Sequence, residues 1–145
     1  MAGEFHEQAA LRLRAAGQRY TRNRRAIVNA LTEADHPMTI PEIVAVGEGL
    51  AMSSIYRNVS VLEASGVLHK VVTSDEFARY ELAEDLTEHH HHHLICAICG
   101  TVEDFTLAPK LEKDATGALK RVATKAGFTV RSHRLDVVGV CARCS

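Results

Sequence analysis

The chain has 145 residues, 46% of them hydrophobic, and a formal net charge of -1. This length suits one ordinary domain or two small ones, and no stretch approaches the roughly eighteen apolar residues that a membrane span needs. The near-neutral charge is unlike that of a protein that coats nucleic acid, and the acidic start of the chain is unlike a secretory signal, so we expect a cytoplasmic protein.

Charge is nevertheless unevenly distributed along the first part of the chain. Between Gln8 and Thr32 there is no acidic residue, and six arginines fall in this window: Arg12, Arg14, Arg19, Arg22, Arg24 and Arg25. A solvated helix face and a nucleic-acid surface would both show this pattern. The elements that follow favour the second interpretation.

Helix signals dominate the first half. Thr21 is a plausible N-cap, and Thr39 with Glu42 three residues later forms a capping box. Gly66 is placed where a helix commonly ends. Four helices are therefore predicted, over about residues 5 to 16, 22 to 34, 40 to 46 and 53 to 65.

The last of these helices leads into a predicted hairpin. Ile55, Val59 and Leu62 recur at helical spacing and predict that one side of the helix is buried. Two strands and a polar turn follow, at residues 67 to 72, 77 to 82 and 73 to 76. Helices followed by such a hairpin predict a winged helix-turn-helix.

The second half mixes strands with one helix. Residues 83 to 88 are polar and lack a hydrophobic period, which predicts a linker between a winged-helix domain at 1 to 84 and an α/β domain at 89 to 145. The predicted elements of the second domain are strands at about 93 to 97, 101 to 106 and 128 to 140, and a helix at 110 to 126. The fold class is therefore α+β. About sixty residues with one helix bury little surface alone, so a metal staple and a partner subunit are expected.

All four cysteines lie in two CxxC pairs: Cys96 with Cys99, and Cys141 with Cys144. Each pair can place two thiolates on one knuckle, and two knuckles complete the tetrahedron that Zn²⁺ prefers. We expect an antiparallel sheet to bring the pairs together around a structural zinc ion. Two disulfides or a redox pair are the competing interpretations, and a cytosolic compartment disfavours them.

Histidine is unusually frequent, with nine residues, five of them consecutive at 89 to 93. An expression tag is the obvious alternative, but tags usually lie at a terminus and this run is internal. In a strand, His91 and His93 would point to one face, while His90 and His92 would point to the other. One run can therefore supply imidazoles to two sites.

These motifs together resemble the ferric uptake regulator family along nearly the whole chain. The segments that carry the resemblance are RYTRNRR at 19 to 25, SSIYRNV at 53 to 59, RYEL at 79 to 82, HHHHHLICAICG at 89 to 100 and CARC at 141 to 144. The resemblance implies a homodimeric repressor of uptake, storage or stress genes. It would bind an A·T-rich inverted repeat when loaded with a divalent metal.

The resemblance also implies which residues contact DNA. Tyr56 and Arg57 would lie on the recognition helix and face the major groove, where an arginine can read guanine bidentately. Arg19 occupies the place of a basic residue that enters the minor groove. The alternative for Tyr56 is core packing, because it neighbours Ile55.

Two ligand sets follow from the resemblance. The regulatory ligands would be His36, Glu81, His91, His93 and Asp104. A further set would contain His90, His92 and His133 with a carboxylate. Here the chain departs from the family pattern, because Thr116 occupies the usual place of a glutamate and Glu112 lies one helical turn earlier. Met38 resembles an insertion after His36, which weakens the assignment of that histidine.

Ligand type indicates which metal is sensed. Imidazoles with carboxylates suit Fe²⁺ or Mn²⁺, and the chain lacks the additional cysteine that zinc-sensing members often carry near Ala83, so Fe²⁺ is favoured. Zinc uptake control and peroxide sensing remain alternatives within the family. Outside it, a metal-dependent hydrolase and a zinc-ribbon interaction module are the competing functions. A hydrolase would need an open coordination position and a general base.

Overall fold

The computed structural model describes residues 2–47, 49–73, 77–87 and 90–145. The helices are α1 (Ala2–Ala15), α2 (Arg22–Glu33), α3 (Ile40–Val46), α4 (Met52–Ala64), α5 (Glu84–Thr87) and α6 (Pro109–Lys125). The strands are β1 (Met38–Thr39), β2 (Leu68–Val71), β3 (Arg79–Leu82), β4 (His92–Cys96), β5 (Val102–Phe105) and β6 (Asp136–Gly139). Together they form an α+β fold with an N-terminal winged helix-turn-helix.

The predicted caps of α2 and α3 are confirmed. The side chain of Thr21 accepts a hydrogen bond from the backbone N–H of Arg24 at 3.3 Å. Thr39 and Glu42 exchange both hydrogen bonds of a capping box at the start of α3. Each contact satisfies N–H groups that a helix leaves unpaired in its first turn. The starts of α2 and α3 are therefore decided by local sequence.

The core of the N-terminal half lies between α1, α2 and α4. Ile55, Val59 and Leu62 are buried along one side of α4, as their spacing predicts, and Ile27 of α2 and Leu13 of α1 are fully buried with them. Gly66, in the left-handed region with φ of 78°, ends the helix. Side chains on the opposite side of α4 are left facing solvent.

The first sheet has the strand order β1-β3-β2, with antiparallel pairing throughout. The hairpin strands β2 and β3, which form the wing, are shorter than predicted, and residues 74 to 76 of the predicted turn lie outside the described residues. Strand β1 was not predicted. Met38, interpreted from the sequence as an insertion, belongs to β1 and is buried opposite Tyr80. The residue therefore contributes to the sheet.

The segment predicted as a linker contains the helical turn α5, in which Leu86 is buried against the N-terminal core. The sequence did not predict this helical turn, because a single apolar residue produces no period that a sequence can reveal. Glu88 and His89 lie outside the described residues. The domain boundaries at 84 and 89 stay predictions.

The second sheet has the order β5-β4-β6. Strand β4 is antiparallel to β5 but parallel to β6, with Cys96 opposite Gly139. The predicted antiparallel closure was therefore wrong. The segment with α6 joins β5 to β6 on the other side of β4, so β6 begins at the end of the sheet where β5 ends and runs parallel to β4. The strand predicted over 128 to 140 was too long, because residues 126 to 135 connect α6 to β6 without forming a strand.

Apolar side chains in the C-terminal half remain largely uncovered. No residue of α6 is buried, and all four residues of β6 are exposed. The two halves meet at a small cluster in which Val71 of the wing packs with Ile95 and Val102. Among the described residues, no helix combines the length and apolarity needed to cross a membrane.

Candidate metal centres and nucleic-acid interface

The four cysteines converge at one edge of the second sheet, and we call them the thiol cluster. Cys96 ends β4 and Cys141 follows β6, so the parallel arrangement of the two strands brings both CxxC motifs to the same edge. The four Sγ atoms all lie within 4.8 Å of one another. All four are free thiols.

Backbone N–H groups in the thiol cluster stabilise the thiolate form of Cys96. The sulfur of Cys96 accepts hydrogen bonds from the N–H groups of Cys99 and Cys141, at 3.5 and 3.4 Å, and these lower the pKa of Cys96 to about 6. Hydrogen bonds with neighbouring thiols, first that of Cys141, raise the pKa of Cys144 to about 12. A dication would replace the protons that the thiols now share.

A second group, here called the bridging cluster, joins the two halves. It consists of Glu81, His91, His93 and Asp104, whose ligand atoms lie within 4.8 Å of one another. Glu81 Oε2 is 3.0 Å from His91 Nε2 and 3.1 Å from His93 Nε2. Asp104 Oδ1 is 3.5 Å from His93 Nε2. Because Glu81 belongs to the wing strand β3, an ion here would contact both halves.

Charge interactions in the bridging cluster oppose the effect of burial. Burial raises the pKa of Glu81, but hydrogen bonds from His91 and His93 outweigh it and lower the value to about 2. Burial lowers the pKa of His93, and Glu81 more than reverses this, so that the net shift is upward. The pKa of Asp104 is raised, chiefly by burial. The four side chains are thus close enough to contact one cation together.

His36 lies beside the bridging cluster without being part of it. Its Nδ1 is 2.8 Å from Asp35 Oδ1, and its Nε2 is 3.1 Å from Glu42 Oε2. His36 nevertheless lines the same cavity of about 440 Å³ as Glu81, His91 and Asp104. Its role as a regulatory ligand stays a prediction.

A third group, the histidine cluster, contains the two histidines of segment 90 to 93 that do not belong to the bridging cluster. The ligand atoms of His90, His92, Glu112 and His133 also lie within 4.8 Å of one another. Glu112 Oε2 is 2.9 Å from His92 Nε2, and Glu112 Oε1 is 2.7 Å from His133 Nε2. The hydroxyl of Thr116 does not contact these histidines. It donates a hydrogen bond to the backbone oxygen of Glu112 at 2.8 Å. Of the two candidate positions, the structure brings Glu112 to the histidines.

The donor sets of the three clusters match different ions. Four thiols at knuckle spacing form the tetrahedral sulfur set of a structural zinc site. The other two clusters offer imidazole and carboxylate groups, a set that Fe²⁺, Mn²⁺ and Zn²⁺ all accept. The alternation of residues 90 to 93, predicted from strand geometry, is what divides their imidazoles between two clusters.

The proposed DNA-contacting residues are accessible. Tyr56 is 55% exposed on the outer side of α4, so the alternative that it packs in the core is wrong. Arg57 is exposed beside it, and Arg19 is exposed in the loop that precedes α2. Three groups able to contact a nucleic acid therefore lie on the solvent side of the helix-turn-helix.

Comparison with known proteins identifies the family. The model of the ferric uptake regulator family matches residues 15–138. The chain belongs to this family. Peroxide-responsive repressor PerR of Staphylococcus aureus is 30% identical over 143 residues, which cover 95% of this chain and 90% of that protein.

Solved structures support the same fold. The ferric uptake regulator of Helicobacter pylori superimposes with a TM-score of 0.74 at 24% identity, covering 99% of this chain and 93% of that one. A zinc-bound manganese uptake regulator has a TM-score of 0.62 at 31% identity, covering 94% and 98% of the respective chains. This family member is thus a metal-responsive regulator, and its relatives are regulators of transcription and not enzymes.

Sequence reasoning missed two polar residues next to these sites. Asp136 at the start of β6 has its Oδ1 3.5 Å from His93 Nδ1, where it can orient the ring. Asn58 of α4 accepts a hydrogen bond from Arg24 Nε at 2.8 Å. No local sequence pattern predicts the role of either residue, because both contacts join segments far apart in the chain.

Proposed function

We propose that this family member is a homodimeric, cytoplasmic repressor that binds DNA when Fe²⁺ or Mn²⁺ occupies the bridging cluster. The observation that carries the proposal is the position of Glu81 on the wing, within 3.1 Å of two histidines of the other half. An ion held by both halves favours one relative orientation of the winged helix. Metal binding and DNA binding then become coupled.

The other parts of the molecule support this scheme. The thiol cluster is proposed to hold a structural zinc ion that stabilises the small C-terminal half. The histidine cluster, with Glu112, is proposed as an additional metal site. Arg19, Tyr56 and Arg57 are proposed to contact an A·T-rich inverted repeat. The uncovered apolar side chains of α6 and β6 are proposed to be covered by a second subunit.

A metal-dependent DNA-binding assay tests the proposal. Purified protein that retains its zinc, but whose other sites have been emptied with a mild chelator, is mixed with duplexes enriched from a random pool. We expect binding after addition of Fe²⁺ without oxygen, or of Mn²⁺, and little binding with Mg²⁺. Binding that is equal with and without these ions would contradict the proposal, as would no binding to any enriched duplex.

Peroxide sensing is the second candidate function. The relative from Staphylococcus aureus named above is a peroxide-responsive repressor, and His91 of the bridging cluster would lie next to bound Fe²⁺. Hydrogen peroxide should then abolish DNA binding of the Fe²⁺ form while sparing the Mn²⁺ form. Mass spectrometry of the histidine-containing peptides should show one added oxygen atom. Equal survival of both forms would exclude this candidate.

A further inference from the structure

Arg24 connects two segments that carry proposed DNA contacts. Its Nε donates to Asn58 Oδ1 of α4 at 2.8 Å, and its Nη1 donates to the backbone oxygen of Arg19 at 2.7 Å. Asn58 in turn donates to the backbone oxygen of Ser54 at 2.8 Å. The half-buried guanidinium of Arg24 thereby joins the loop before α2 to the middle of α4.

The location of Arg24 is unfavourable for the helix that carries it. The first turn of α2 contains Arg22, Arg24 and Arg25 and no acidic residue. The N-terminus of a helix carries partial positive charge, so cations there oppose the helix dipole. Helix stability alone therefore gives no reason for an arginine at this position, whereas a contact that needs two directed donors does.

We propose that Arg24 is a positioning residue that fixes Arg19 relative to the α4 side chains Tyr56 and Arg57. The inference rests on the proposed DNA-binding function. If Arg19 contacts the minor groove while Arg57 contacts the major groove, the two groups must be held at one spacing to bind together. A loop held only by its own backbone would lose that spacing. Arg24 supplies such a constraint through its hydrogen bonds to Asn58 and to the backbone oxygen of Arg19, and its Nη1 also donates to Gln18 Oε1 at 3.3 Å.

Binding assays on combined variants separate positioning from a direct charge effect. Arg24→Ala should weaken binding to an enriched duplex about tenfold, the scale of one lost contact of a charged group. In the Arg24→Ala background, the additional change Arg19→Ala should cost less than about twofold, because Arg19 is already misplaced. Arg57→Ala should retain its full effect there, since buried Ile55 and Val59 hold α4 independently.

Two further variants serve as controls. Arg22→Ala removes the same charge from the same helical turn and measures the cost of charge alone. Arg24→Lys keeps the charge but lacks the planar fork that serves both acceptors, so its affinity should be close to that of Arg24→Ala. Additive losses for Arg24→Ala and Arg19→Ala, or wild-type affinity of Arg24→Lys, would show a direct contact with phosphate and overturn the inference.

A measurement without DNA keeps this inference separate from the proposed function. Trypsin should cleave after Arg19 several-fold faster in Arg24→Ala than in Arg22→Ala, because the loop opens locally while the core stays folded. Equal cleavage rates would overturn the inference even if DNA binding were lost. Conversely, faster cleavage in a protein whose wild type binds no duplex would contradict the proposed function and leave Arg24 as the residue that holds this loop.

Discussion

The carboxylate of Glu81 lies 3.0 Å from the imidazole of His91, and the two residues belong to different halves of the chain. Glu81 is on the wing strand β3, whereas His91 immediately precedes β4 of the second sheet. The hydrogen bond between them joins the two halves. Any change that weakens this contact without supplying a metal should loosen the connection.

The stability of protein without regulatory metal should therefore depend on pH in two windows. The pKa of Glu81 is lowered from 4.5 to about 2, so its stabilising contribution is present above 4.5 and is lost as the pH falls towards 2. The pKa of His93 is raised from 6.5, so its contribution is complete below 6.5 and is lost as the pH rises through the raised value.

Thermal unfolding of chelator-treated protein, followed across this range, should show greatest stability between about pH 5 and 6. His93→Ala should flatten the decline above pH 6.5. The same decline in wild type and His93→Ala would assign the titration to other groups. With Mn²⁺ present, the trend above pH 6.5 should reverse, because the metal binds neutral imidazole.

The bridging cluster should be separable from the zinc site. Replacing both His91 and His93 with alanine should preserve zinc and the dimer but abolish the metal-dependent gain in DNA affinity. Typical couplings of about 1 to 3 kcal/mol correspond to roughly 5- to 150-fold in affinity. Binding titrations in Fe²⁺ or Mn²⁺ measure the gain, and His90→Ala with His92→Ala is the matched control from the same strand. A gain of tenfold or more in the first variant would place the switch elsewhere, most simply in the histidine cluster.

The thiol cluster should be required for folding. Cys96→Ser or Cys141→Ser should remove about one zinc ion per subunit and disrupt folding or dimerisation, because the binding energy of the metal is part of the folding energy. Elemental analysis and sedimentation measure both effects. Ala142→Ser introduces a hydroxyl into the same exposed knuckle and should change neither. Full zinc content in an intact Cys96→Ser dimer would refute this prediction.

Glu112, and not Thr116, should contribute to metal binding by the histidine cluster. Glu112→Ala should weaken that site at least about tenfold, the scale on which metal sites respond to losing a supporting group. Thr116→Ala, which removes only a hydroxyl bonded to the helix backbone, should leave affinity unchanged. Competition with a chelating dye provides the measurement. Equal affinities of the two variants would remove Glu112 from the site.

Arg57 should contribute to sequence recognition. Arg57→Ala should weaken binding to an enriched duplex by about 1 to 3 kcal/mol and relax preference at one base pair, whereas Arg19→Ala should act more evenly across sequences. Competition between enriched and scrambled duplexes measures the difference. The exposed Arg14 of α1 offers a control for loss of charge. Equal losses on both duplexes for Arg57→Ala would argue against direct base contact.

Local signals predicted the helices of the N-terminal half well. Thr21, Thr39 and Glu42 determine helix starts through contacts within three residues, so the sequence itself contains the cause. The alternation of residues 90 to 93 was predictable for the same reason. In extended backbone, successive side chains point to opposite sides, so His91 and His93 share one side.

Features decided by distant contacts were not predictable. The parallel pairing of β4 with β6 depends on where α6 crosses the sheet, which no local pattern records. The choice between Glu112 and Thr116 depends on how α6 is rotated towards His133. The helical turn α5 likewise depends on a distant contact, because its residue Leu86 is buried against the N-terminal core.

The backbone from residue 90 to residue 93 serves both the bridging cluster and the histidine cluster. An ion bound at either cluster would order this short segment, and the loss of conformational entropy would be incurred only once. The second ion would then bind to a segment already ordered, so the two sites would fill cooperatively. A strand with ligands on both faces would thereby give a steeper response to metal concentration than two separate sites could.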